Sequence, residues 1–168
     1  KPTLGRKFLM AGRGGLNLTH SEPLKCFLSR YGTHAQMLQP MIEKFSPGNL
    51  RTWSETLGQE TFIGSSGRIF PKTLKASPLL RAWLERLERS GVHFSMSQEW
   101  TGWDHSMNLV FKDSAGIVKI IKSDATLLAL GGGSWARLGS DGAWVEILRA
   151  KEIPVKKLEP ANCGFSVS

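Results

Sequence analysis

Two glycine clusters are the residues of this sequence best suited to chemistry: Gly12-Arg13-Gly14-Gly15-Leu16-Asn17 and Gly131-Gly132-Gly133-Ser134. Glycine takes positive φ without penalty and puts no side chain between backbone and ligand. Amides in such a turn can therefore approach phosphate oxygens or a flat cofactor. Neither cluster is a G-x-G-x-x-G turn or a Walker loop, and each alone also suits a surface loop or a tight strand-to-helix turn.

Other constellations carry less. His20, His34, His93 and His105 share no metal-ligand spacing with Cys26, Cys163 or each other, so no metal site is expected. Asp104, His105 and Ser106 cannot form a relay, because adjacent strand residues point to opposite faces. Trp53, Trp83, Trp100, Trp103, Trp135 and Trp144, interleaved with Arg and Lys, suggest base stacking. Trp83 lies on an apolar helical stripe, however, and reads as core. Trp135, directly after the second glycine cluster, is the one best placed to meet a ligand, with local packing as its plainer role.

The elements that must position these residues follow from hydrophobic period and turn chemistry. Residues 5–19 hold four glycines and no regular apolar period, and read as a loop. His20-Ser21-Glu22-Pro23 offers a cap and a first-turn proline to a helix carrying Leu24, Phe27, Leu28 and Tyr31 and ending near Gly32. Residues 36–45 present Met37, Leu38, Met41, Ile42 and Phe45 on one face, with Pro40 expected to start or kink the helix. Ser46-Pro47 opens another helix through about Leu57, which completes a helical block over residues 20–60. Short extended pieces broken by Gly64 and Gly67 then fill residues 61–70.

Ser77-Pro78 signals an N-cap and first-turn proline for a helix with the stripe Leu79, Leu80, Trp83, Leu84, Leu87, stopped by Gly91. Residues 92–97 alternate and predict a strand. Residues 99–103, 107–112 and 117–122 predict an antiparallel meander. The run Ala-Thr-Leu-Leu-Ala-Leu at 125–130 has the composition of a strand buried on both faces of a parallel sheet, leading into the second glycine cluster. A helix over about 142–151 completes an α/β order in which the meander is the crossover between two parallel strands.

A chain of 168 residues, 40% hydrophobic and 21% charged, suits a single globular domain, and no internal boundary is expected. It carries no apolar run of membrane-spanning length and no hydrophobic leader in its first residues, so a cytoplasmic protein is expected, with Cys26 and Cys163 as reduced, buried thiols. The net charge of +8 favours a polyanionic partner, whether nucleic acid, an anionic surface or a phosphorylated cofactor, but the basic residues form no dense tract.

Three ordered motifs carry a resemblance to a known family. Residues 5–19, Gly-Arg-Lys-Phe-Leu-Met-Ala-Gly-Arg-Gly-Gly-Leu-Asn-Leu-Thr, resemble the segment after the ribose-binding acid in BaiN-like (YhiN-like) flavoproteins. Gly67-Arg68-Ile69-Phe70-Pro71, with Ala76-Ser77 after it, resembles that family's G-R-(V/I)-F-P motif. Ala129-Leu130-Gly131-Gly132-Gly133-Ser134, followed by Gly139-Ser140-Asp141-Gly142, is similar to its A-T-G-G strand end. The sequence departs from the family in having Gly15-Leu16 for an Arg-Cys pair and Leu130 for a threonine, which implies a divergent subgroup on the substrate side.

The resemblance implies a partial three-layer, Rossmann-like FAD/NAD(P)-binding domain over residues 1–168, with the meander as crossover and the helical block beside it. Lys7, Gly12, Gly14, Gly15, Asn17, Leu18 and Thr19 would line the FAD pyrophosphate and flavin edge. Trp100 would meet the adenine side through its backbone, and Gly131 and Gly132 the ribityl or pyrophosphate region. The parent enzyme would move a hydride between NAD(P)H or an organic small-molecule substrate and the flavin. The cofactor performs that chemistry, so no catalytic acid or base is expected.

The chain opens without Met, and in the family a first strand, a G-x-G-x-x-G turn and an acidic ribose ligand come before the position of Lys1. A C-terminal substrate half comes later. The expectation is therefore an internal fragment that alone holds FAD poorly. A strand at 125–130 would then have an unpaired edge, open to self-association or another chain. The alternative from another class is a non-enzymatic basic α/β module that binds nucleic acid or an acidic partner.

Overall fold

The structure, a computed structural model, describes residues 3–159. It divides into two compact units: Gly5–His93, and a unit that begins at Phe94 and takes in residues 3–4.

In the first unit, residues 5–19 are not all loop. Helix α1 spans Arg6–Ala11, between Gly5 in the left-handed region (φ 64°) and Gly12. Six residues are too few to show an amphipathic period, and so short a helix depends on packing rather than propensity. Here the packing is against α5 (Ala76–Arg89). Strand β1 (Thr19–His20) follows, then α2 (Leu24–Ser29), with Pro23 as its N-cap rather than in its first turn. A 3₁₀ turn (Gly32–His34) leads into α3 (Ala35–Lys44), and Pro40 lies within that helix instead of starting it. Proline has no N–H to give the Gln36 carbonyl. Met37, Met41 and Phe45 remain more than half exposed.

Helix α4 (Pro47–Thr56) begins as its sequence predicts. Ser46 Oγ accepts from the Asn49 amide at 3.2 Å, and Asn49 Oδ1 accepts from the Ser46 amide at 2.9 Å, closing a capping box. Ser46→Ala is expected to lower stability by about 1 kcal/mol, read as a shifted urea midpoint at constant slope.

Strands β2 (Thr61–Ile63) and β3 (Arg68–Pro71) form, with β1, an antiparallel sheet ordered β1-β3-β2, in which Ile69 faces both Thr19 and Ile63. Lys75, not Ser77, is the N-cap of α5, and Pro78 falls in the first turn, where no intrahelical bond is lost. At the other end the Gly91 amide reaches the Glu88 carbonyl at 2.9 Å and the Val92 amide the Leu87 carbonyl at 3.0 Å, with Gly91 at φ 82°. This is a Schellman stop. The core joins Leu16, Ala76 and Leu79 with Phe8, Leu18, Trp53 and Leu57. Trp83 packs edge-on against Trp53, ring centroids 5.2 Å apart, which gives it the core role its stripe predicts.

Residues 92–97 are not a strand, because the Schellman turn and a left-handed Ser97 (φ 55°) break the extension. The second unit builds its sheet from β4 (Gln98–Trp103), β5 (Leu109–Asp113) and β6 (Val118–Ile121), the predicted antiparallel meander, in the order β4-β5-β6. Asp104 closes the first hairpin, accepting from the Ser106 and Asn108 amides (2.8 and 2.9 Å) and from Asn108 Nδ2 (2.9 Å). These bonds, that of the Asn108 side chain first, hold its carboxyl below the ordinary range. The carboxylate is thus committed to a turn.

Residues 125–130 are not a buried strand. Among the described residues they have no backbone partner, and residues 125–129 are exposed. An apolar run acquires strand structure only with a ladder partner, and every pairing among the described residues is antiparallel, so the meander crosses between no parallel strands here. A 3₁₀ turn (Ala136–Leu138) and α6 (Trp144–Arg149) follow, α6 packing on β4 inside the predicted 142–151 span. Cys26 is exposed rather than buried, and Cys163 lies outside the described residues.

Candidate functional site

The segment between α1 and β1 takes its shape from two leucines. Leu16 (5% exposed) and Leu18 turn into the core, and their amides bond outside the segment, Leu16 to the Leu74 carbonyl at 2.9 Å and Leu18 to the Ile69 carbonyl at 2.8 Å. With alternate residues anchored, the intervening Asn17 faces solvent. Among the described residues, the amides of Gly14 and Asn17 have no backbone acceptor. Gly14 (φ 83°) and Gly15 (φ 127°) hold angles that side chains rarely adopt, and nothing lies within 4 Å of where a Gly14 Cβ would stand. The arrangement is an anchored, open loop with N–H donors that have no backbone acceptor among the described residues, which fits a phosphate or a flat polar ring.

Gly12 has a different task. A Cβ there would come within 2.5 Å of the Ala76 Cβ, so glycine is what lets α1 end against the start of α5. Lys7 is exposed on α1, and Thr19 pairs with Ile69 in the sheet. Seven of the predicted positions thus share one helix, loop and strand start.

The other three lie in the second unit. Gly131 (φ 73°) and Gly132 have open surroundings, whereas a Cβ on Gly133 would meet Leu158 Cδ1 at 3.1 Å. Ser140 (5% exposed) fixes this turn by donating from its hydroxyl to the Gly132 carbonyl at 2.8 Å, while Trp135 and Ser140 exchange both backbone bonds, at 2.9 and 3.1 Å. Trp135 is 46% exposed. Trp100 stacks edge-on with Trp103, centroids 4.8 Å apart, and lines an open cavity of about 760 Å³ together with Gln98, Leu130, Asp141, Trp144 and Ile147.

Three buried polar side-chain atoms lack a partner among the described residues: Trp100 Nε1, Trp144 Nε1 and Gln98 Oε1. Gln98, Trp100 and Trp144 all line that one cavity, and the three atoms themselves are buried. Such atoms are rare, and each costs about 1–3 kcal/mol. Sequence reasoning found Trp100 but missed Gln98 and Trp144, because only tertiary structure shows that their polar atoms are stranded.

It also missed a polar cluster beside β1. His20 Nε2 lies 3.0 Å from the Ser66 carbonyl, and His20 Nδ1 accepts from the Glu22 amide at 3.1 Å. Arg30 holds the Glu22 carboxylate at 2.6 and 2.7 Å and keeps its carboxyl below the ordinary range. His20, Glu22 and Arg51 line a second cavity of about 360 Å³. The available signal was a His-x-Glu spacing directly after the glycine loop. Among the described residues, no group of three His, Cys, Asp or Glu side chains could hold a metal ion, and no helix is long and apolar enough to cross a membrane.

The family described as HI0933-like protein Rossmann domain matches residues 1–164 of this chain. No curated protein matches it.

Proposed function

Since this chain belongs to the HI0933-like Rossmann-domain family of FAD-binding oxidoreductases, we propose that it supplies FAD-binding surfaces to a flavin-dependent oxidoreductase acting in the cytoplasm. The observation that carries this reading is the loop over residues 12–18. Buried Leu16 and partly buried Leu18 anchor it while, among the described residues, the Gly14 and Asn17 amides keep no backbone acceptor.

Lys7 would add a positive charge beside the pyrophosphate, and Gly15 and Thr19 would follow the cofactor towards the flavin edge, with Leu18 as the core anchor between them. In the second unit, the open backbone at Gly131 and Gly132 suits the ribityl or pyrophosphate region, and Trp100 the adenine side. Bound FAD would supply the redox chemistry, exchanging a hydride with a reduced nicotinamide or an organic substrate. The chain's own part would be binding and orientation, through the open amides of that loop.

Titrating the full chain with FAD and following flavin fluorescence tests this. Weak but saturable quenching is the expected outcome. Asn17→Pro removes an amide that serves no backbone bond among the described residues, and should weaken binding about tenfold, the worth of one hydrogen bond to a charged group. The absence of saturation, or unchanged affinity in Asn17→Pro, defeats the reading. Salt-sensitive retention on heparin without flavin binding would favour the basic-module alternative instead.

A further inference from the structure

The cavity of about 360 Å³ beside β1 takes no part in the flavin reading, and its walls are of two kinds. Ile63 and Ile69, register partners on one face of the first sheet, and Leu24 make an apolar side. Gly48 and Arg51, from the start of α4, make a polar one. His20 is wall rather than ligand, since both its ring nitrogens are committed, one to the Ser66 carbonyl and one to the Glu22 amide.

Arg51 is held by one edge of its guanidinium. Its Nε donates to Glu55 Oε1 at 3.1 Å and to Thr61 Oγ1 at 2.9 Å, and among the described residues Nη1 and Nη2 have no partner. A guanidinium fixed at Nε keeps Nη1 and Nη2 as a planar fork that matches the two oxygens of a carboxylate. Gly48 stands three residues before it on the same face of α4, and among the described residues its amide has no acceptor. We infer that this cavity binds a small monocarboxylate with an apolar body, its oxygens on the Arg51 fork and the Gly48 amide, its body against Leu24, Ile63 and Ile69.

Charge narrows the class. Arg51 is balanced by Glu55, and Glu22, on the cavity wall, is held by Arg30 at 2.6 and 2.7 Å. The charged side chains there leave no surplus for a phosphate dianion, which would also bring a second negative charge towards Glu22. One negative charge spread over the fork and the amide is what the site suits. The start of α4 by itself would fit any anion, and it is the Arg51 fork together with the isoleucine floor that selects a carboxylate on an apolar body. The volume is near the lower end for small-molecule sites, enough for one ring or a short chain and too little for a dinucleotide. This inference is independent of the flavin reading and uses none of the residues assigned to FAD.

Titrating the full chain with phenylacetate, without FAD, and following proton–nitrogen NMR spectra tests it. The Gly48 amide and the Arg51 guanidinium should shift saturably, half-complete on the order of 1 mM. Phenylacetamide, the same body without the charge, should bind at least tenfold more weakly, and inorganic phosphate should move neither signal. Arg51→Gln should weaken phenylacetate about tenfold. Ile63→Ser, at a half-exposed position on an edge strand, should weaken phenylacetate about fivefold and leave acetate unchanged, which keeps the test open should Arg51→Gln fail to fold. The inference is overturned by the absence of saturable shifts, by shifts centred away from Gly48 and Arg51, by phenylacetamide or phosphate binding as tightly as phenylacetate, or by unchanged affinity in a folded Arg51→Gln or Ile63→Ser.

Discussion

Leu79→Ala should destabilise the chain more than any other single truncation, by about 2–5 kcal/mol, seen as a large fall in the urea midpoint. Leu79 is 0% exposed and shares one core cluster with Leu16 of the loop and Ala76 of its own helix α5. Few side chains among the described residues are as deeply buried, so little surrounding mass can move in to fill the void. The expected loss is a large fraction of the stability of an ordinary domain, and unfolding should begin near physiological temperature. Leu79→Met, which keeps volume and apolarity, should cost less than about 1.5 kcal/mol. A loss below 1 kcal/mol in the alanine variant would mean that this core does not hold the unit together.

The second large effect is expected at Gly12. Its φ of −82° is ordinary, so an alanine there meets no backbone strain. What it meets is Ala76, with Cβ atoms 2.5 Å apart and the Ala76 amide nitrogen 3.4 Å away. Neither obstacle is the free end of a flexible side chain. α1 must therefore move off α5, and Gly12→Ala should cost about 1–3 kcal/mol, as overpacking does. Adding Ala76→Gly removes the opposing methyl, at a helix-propensity cost of about 0.5–1 kcal/mol. The double variant should be more stable than Gly12→Ala alone, a sign of direct coupling. Additive losses would show that the contact is not the cause. The same shift carries Gly14 and Asn17 with it, so Gly12→Ala should also weaken FAD quenching.

Where a residue pattern has a local cause, it could be read before any coordinates. The stripe on α5 and its stop at Gly91, the Ser46-Pro47 start of α4, and the three strands of the meander all follow from spacing and turn chemistry that neighbours in sequence supply. The helix α1 could not be read that way, because its stability comes from Ala76 and α5 rather than from its own six residues. Residues 125–130 misled for a related reason. Apolar composition states what a segment would bury, not whether a ladder partner is present.

The candidate site divides along the same line. Glycine clustering located both loops, and the motif resemblance supplied the family that the match over residues 1–164 establishes. What glycine spacing could not convey was that Leu16 and Leu18 pin one loop by alternate amides, or that Leu158 closes off Gly133 while leaving Gly131 and Gly132 open. The stranded atoms of Gln98 and Trp144 were equally invisible, since a missing hydrogen bond is a property of surroundings.

The pairing of β1 with β3, rather than with a neighbour in sequence, sets an order of assembly. Thr19 and His20 meet Ile69 and Arg68 only after the chain between them, including three helices, has been drawn into a closed excursion. The entropy of closing so long a loop must be offset before that contact contributes, whereas the β4-β5-β6 hairpins close over a few residues each. In stopped-flow refolding the meander should therefore gain amide protection in an early phase, and His20 and Ile69 in a late one.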